Sequence, residues 1–149
     1  MSKNLYTAAS TMLGWAACWQ IAAPLEAGAW RIILTLTACV MATIHIQDLR
    51  DIDGDRQAGR RTAPLVWGER LTRSTLTATI AFLPAVTFVL YDLAHHGWPA
   101  WVAWALSSIL ALAAALRLLT TAGQAADQRT YRTWEQWVTA ALACAVLVI

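Results

Sequence analysis

Between Gln47 and Arg56 the chain reads Gln-Asp-Leu-Arg-Asp-Ile-Asp-Gly-Asp-Arg, which places four carboxylates, Asp48, Asp51, Asp53 and Asp55, inside eight residues. Carboxylates this close repel one another and call for a cation. Hard oxygen ligands suit Mg²⁺, which takes one or two of them and fills its shell with water and the phosphates of a substrate. Arg56, Arg60 and Arg61 follow at once, and planar guanidinium forks match phosphate oxygens well. These residue types point to a Mg²⁺–diphosphate site. On one continuous helix Asp48, Asp51 and Asp55 would fall at i, i+3 and i+7. They would then project within about 60° of one another, with Asp53 turned away. Gly54 is where such a helix would be expected to break.

The surroundings say where this cluster sits. Of the 20 Asp, Glu, Lys and Arg residues, 11 lie between Asp48 and Arg73, and the flanking segments are nearly free of charge. The 149 residues are 58% hydrophobic and 13% charged, with a mean hydropathy of +0.48. Ordinary soluble domains have about twice that share of charge. A net charge of +2 gives no case for nucleic-acid binding. Cys18, Cys39 and Cys144 are scattered through apolar segments without Cys-x-x-Cys spacing, and read as packed thiols.

Five stretches are long enough, or nearly so, to cross a hydrocarbon core as helices. They run roughly Leu5–Ala23, Ala29–Gln47, Ser74–Leu93, Pro99–Leu119 and Tyr131–Ile149. A lone basic residue, Lys3, argues against reading the first as a signal peptide. The fold expected is an all-α, polytopic transmembrane bundle of about five helices in a single domain. With five spans, Lys3, Arg50, Arg56, Arg60, Arg61, Arg70, Arg73, Arg117, Arg129 and Arg132 share one side, and Arg31 stands alone on the other. The positive-inside rule makes the acidic loop cytosolic and the C-terminus non-cytosolic. Ala103, Ser107, Ala111 and Ala115 recur every four residues and predict a close helix contact, within the chain or with a second copy. Pro84 predicts a kink whose freed carbonyl needs a new partner.

Two motif readings fail on the residues. An EF-hand loop counted from Asp51 would need Gly and Glu where Arg56 and Thr62 stand. A CDP-alcohol phosphotransferase would need Asp-Gly-x-x-Ala-Arg, whereas Asp53-Gly54 is followed by Asp55-Arg56-Gln57-Ala58. A third, a solvated charged loop in a structural membrane protein, is disfavoured by four acids with no Ser, Thr or Lys among them.

The longer run, Asp48-Leu-Arg-Asp51-Ile-Asp-Gly54-Asp55-Arg56-x-x-Gly59-Arg-x-Thr62-x-Pro64-Leu-x-x-Gly68, resembles the second aspartate-rich motif of the UbiA family of intramembrane prenyltransferases and terpene cyclases. The resemblance implies a nine-helix fold of which this chain matches the second half. The family's first motif, Asn-x-x-x-Asp-x-x-x-Asp, has no counterpart before Asp48, so the domain is expected to be partial. It further implies that Asp51 and Asp55 bind Mg²⁺ that holds a prenyl diphosphate. Asp48 would be a further ligand or orient a basic partner. Arg56, Arg60, Arg61 and Lys3 would meet the diphosphate oxygens. The implied chemistry is ionisation of the diphosphate to an allylic cation within the lipid bilayer, for transfer to an acceptor or for cyclisation, helped by a missing N-terminal half or a second copy. The alternative is a non-catalytic half-enzyme acting as partner or scaffold. Trp15, Trp19 and His45 are more naturally core residues than site residues, and Asp92, His95 and His96 form a solvated loop on the opposite face.

Overall fold

Long apolar runs punctuated by Pro and Gly resolve into helices of two lengths. The computed structural model describes residues 2–148, with side chains from Asn4 onward, so the Lys3 side chain lies outside the described residues. The long helices are α1 (Ser2–Ala22), α2 (Ala27–Thr43), α6 (Glu69–Leu90), α7 (Trp98–Thr120) and α8 (Gln124–Val146). Three short ones, α3 (Ile46–Arg50), α4 (Ile52–Gln57) and α5 (Ala63–Trp67), carry the acidic motif between α2 and α6. A 3₁₀ turn at Leu93–His95 joins α6 to α7. No strand occurs among the described residues, in keeping with the all-α expectation.

By length and composition three segments are apolar enough to cross a membrane: Ala27–Arg50, Glu69–Leu90 and Trp98–Thr120. The other two long helices differ from the expectation in instructive ways. Helix α8 begins seven residues before the expected Tyr131 and takes in Asp127, Arg129, Arg132 and Glu135. Helix α1 is diluted by Ser, Thr, Gly and Gln.

The core lies where α6 and α8 flank α7. Ser107, Ala111, Ala114 and Ala115 are buried on α7, and Ala141, Cys144 and Ala145 on α8. Small side chains on both faces let the backbones approach closely. The four-residue stripe is therefore occupied within the chain and is not open to a second copy. Pro84 sits inside α6, and its own carbonyl accepts from the Trp104 indole N–H of α7 at 3.0 Å. Tyr91 at the end of α6 donates to the carbonyl of Ala141 at 2.6 Å. Trp15 and Trp19 of α1 pack on the core as expected. Leu106, Ile109, Leu112 and Leu116 of α7 remain exposed, a face suited to lipid.

Candidate functional site

The helix expected to run unbroken from α2 through the motif is interrupted twice. It turns at Ile44–His45, and again at Asp51, whose φ of −107° and ψ of 16° lie outside the helical region. Gly54, the expected breaker, lies inside α4. The four carboxylates consequently meet different environments. Asp48 and Asp55 are each 1% exposed, Asp51 is half-buried, and the Asp53 side chain is 77% exposed. The outward turn of Asp53 agrees with the spacing argument. The convergence of three acids on one ion does not follow: among the described residues no group of three or more His, Cys, Asp or Glu could hold a metal ion. The break at Asp51 resets the helical phase that the argument depended on.

Each carboxylate has its own basic neighbour. Asp48 Oδ2 lies 2.9 Å from His45 Nδ1, and Asn4 of α1 and Gln47 close the cluster at 3.1 Å each. His45 is thus a hydrogen-bonded residue of the corner, its ring edge-on to Trp67. Asp51 accepts both nitrogens of the Arg50 fork at 3.0 and 2.9 Å. Arg50 also lies over the Tyr131 ring, 4.5 Å from its centroid, which ties the motif to α8. Arg56 pairs with exposed Asp53 at 3.1 Å, and Arg61 is exposed.

The Asp55–Arg60 pair has a local cause. Helix α4 closes in a Schellman turn: the Arg60 N–H reaches the Asp55 carbonyl at 2.9 Å and the Gly59 N–H reaches that of Arg56 at 3.2 Å. Gly59 holds φ +63° at the turn, a left-handed conformation that costs glycine least. The chain is thereby folded back so that Arg60 Nη1 meets Asp55 Oδ1 at 3.0 Å. Asp55 Oδ2 is buried without a hydrogen-bond partner. An ionised oxygen out of water and unpaired is costly, and it offers lone pairs to a cation. Arg60, 59% exposed, can swing from Asp55 to an incoming anion.

Several residues that shape this corner escaped the sequence reading. Tyr131, Trp134, Glu135, Val138 and Thr139 form a helical stripe at i, i+3, i+4, i+7 and i+8, which is the signal that would have found them. With Thr7, Thr11, Val40, Ile44 and Gln47 they line a cavity of about 290 Å³ between α1, α2 and α8. Trp134 is anchored there by its indole N–H, which donates to Thr43 Oγ1 at 2.9 Å. A second buried pair, Arg73 and Asp127, locks the base of α6 to that of α8 at 2.6 Å. Asp92 and His95 pair at 2.8 Å in an exposed loop, as expected.

The model of the UbiA prenyltransferase family matches residues 5–147. The chain belongs to the UbiA prenyltransferase family. With three helices of spanning length and composition, it is an integral membrane protein. It is 44% identical over 100 residues to somaliensene A/B synthase of Streptomyces somaliensis, a stretch covering 66% of this chain and 33% of that protein. The diterpene cyclase eriG of Hericium erinaceus is 41% identical over 76 residues, covering 50% of this chain and 24% of its own length. The polyprenyl transferase eriF of the same fungus is 36% identical over 74 residues, or 50% and 25% of the two chains. The chain thus spans a third or less of the length of these curated relatives. No solved structure matches it.

Proposed function

We propose that this chain holds a prenyl diphosphate at the Asp48–Arg61 corner through Mg²⁺ and activates it in the membrane, for transfer to an acceptor or for cyclisation. The observation that carries this reading is Asp55, a buried carboxylate with one oxygen on an exposed arginine and the other without a hydrogen-bond partner. The donor set suits Mg²⁺, since two carboxylates leave most of its shell to phosphate oxygens and water. Asp51 and Asp55 would hold the ion, with Asp48 behind them on His45. When bound, Mg²⁺ would neutralise the charge that develops as diphosphate leaves. Arg60 and Arg61 would take the remaining diphosphate oxygens, and Arg56 would follow by leaving exposed Asp53. Lys3 is assigned the same role from the resemblance alone.

The side chains of α8 would face the reacting carbons. The names of the relatives, a synthase, a diterpene cyclase and a polyprenyl transferase, support this reading of the acidic corner. The acidic corner is assigned to the cytosolic side from the ten-to-one distribution of basic residues.

The reading extends to a requirement for further helices, from a missing N-terminal half or a second copy. One acidic corner clamps a diphosphate from one side, and a carbocation needs walls that exclude water. The test is the purified chain in lipid with farnesyl or geranylgeranyl diphosphate and Mg²⁺, assayed for diphosphate release alone and with a polypeptide carrying the family's first aspartate motif. Release only with the partner, and its loss in Asp55→Ala, is the expected result. No release in any combination would favour the non-catalytic scaffold.

A further inference from the structure

The cavity between α1, α2 and α8 has an uneven lining. Val40, Ile44, Trp134 and Val138 give it an apolar wall, polar side chains line the rest, and Glu135 is its one acidic side chain. Glu135 stands at the twelfth position of the 23-residue α8, an exposed carboxylate at the rim of this cavity, next to buried Trp134. Glu135 is also tied to the acidic corner. Arg50, which binds Asp51 and covers the Tyr131 ring, feels the Glu135 charge as well. The Tyr131 phenol lies beside the Glu135 carboxylate, one helical turn away. A continuous column, Asp51–Arg50–Tyr131–Glu135, therefore leads from the corner into the cavity. Trp134, its ring 5.7 Å from that of Tyr131, stands next to the carboxylate with its indole N–H already engaged.

We propose that Glu135 is the proton acceptor of the reaction and that the cavity it lines receives the prenyl carbons that become cationic. The inference rests on the function proposed above. The electron count is simple. The C1–O bond breaks with its pair going to the departing diphosphate oxygen, leaving an allylic cation. An electron pair from the acceptor, or from a double bond within the chain, forms the new carbon–carbon bond and passes the positive charge on. A C–H or O–H bond next to that charge then breaks. Its proton goes to a Glu135 oxygen, and its electron pair closes a C=C or C=O bond. The face of Trp134 would hold the cation until that step. At about 290 Å³ the cavity lies at the small end of ligand pockets, so it suits the few carbons nearest the diphosphate rather than a whole long prenyl chain.

The decisive experiment follows products and diphosphate together, using the chain with the polypeptide that completes it. Glu135→Gln keeps the shape and removes the base. It should lower the ratio of deprotonated product to released diphosphate by roughly tenfold or more, with prenyl alcohol from water capture making up the difference. Glu135→Asp should restore part of that ratio. An unchanged ratio in Glu135→Gln, with release still abolished by Asp55→Ala, would overturn the inference and leave the acidic corner intact. Undiminished release from Asp55→Ala would overturn the reading of the corner, and the inference with it. A measurement free of turnover uses a prenyl dimethylamine, which is protonated at neutral pH and imitates the cation. With inorganic diphosphate and Mg²⁺ present, its affinity for the chain in lipid, read from tryptophan fluorescence, should fall roughly tenfold in Glu135→Gln. Equal affinity would overturn the proposal.

Discussion

Replacing Asp127 by Ala should cost about 2 kcal/mol of folding stability. Asp127 is 3% exposed and bonds Arg73, itself 11% exposed, at 2.6 Å. Breaking a buried pair by deleting one member costs about 3–5 kcal/mol, because the survivor is left charged and unpaired. Arg73 would not be wholly abandoned. Its other contacts are Glu69 Oε1 at 2.8 Å and the Thr121 carbonyl at 3.3 Å. These survive the substitution, and Glu69 is half exposed, so the penalty should fall to about half of the full range. A paired substitution, Arg73→Met with Asp127→Leu, removes both charges and should recover most of the loss. The assay is equilibrium unfolding of the purified chain in mixed micelles, followed by circular dichroism. Two results would refute the reasoning: a cost under about 0.5 kcal/mol for Asp127→Ala, or a double variant no better than the sum of the singles.

Three further outcomes are expected. Gly59→Ala and Gly54→Ala should move stability in opposite directions. An added Cβ meets nothing within 4 Å at either site, but Gly59 holds φ +63° while Gly54 is helical; the first should lose about 1 kcal/mol and the second gain up to about 1 kcal/mol, by the same unfolding assay. Diphosphate should strengthen Mg²⁺ binding, measured by calorimetry, in the parent chain and in Asp53→Ala, and roughly tenfold less in Asp51→Ala or Asp55→Ala; equal loss at all three would contradict the distinction drawn from exposure. Ala111→Leu should destabilise by about 1–3 kcal/mol, because Ala111 is wholly buried between α7 and its neighbours; a neutral result would mean that α7 and α8 are not closely packed.

Much of this protein was determined by sequence alone, for local reasons. Apolar runs, with Pro99 in the first turn of α7 and Gly68 and Gly123 at the starts of α6 and α8, were enough to locate five long helices, since such runs have few other ways to satisfy the backbone. The Asp48–Gly68 run carried the family resemblance, because the spacing of its acids, arginines, Gly59 and Pro64 records a local chain path. The Schellman turn that brings Arg60 to Asp55 lies wholly within six residues and is also set locally, although the sequence pointed to Gly54 and not Gly59 as the helix end.

What remained for the tertiary structure depends on helices far apart in sequence. Only packing against other elements made Asp48 and Asp55 buried while Asp51 stayed half-open. The break at Asp51 overrode the helical phase that had placed three acids on one face. Arg50 found Tyr131 81 residues on, Thr43 found Trp134 91 residues on, and Arg73 found Asp127 54 residues on. No local pattern encodes such pairings, because each is set by which helices become neighbours. The small-residue stripe of α7 shows the same limit. Its periodicity predicted a close contact correctly, but only the assembled bundle decided that the partners were helices of the same chain. Glu135 is an exposed acid of α8 that comes to line a cavity only once α1 and α2 stand beside that helix.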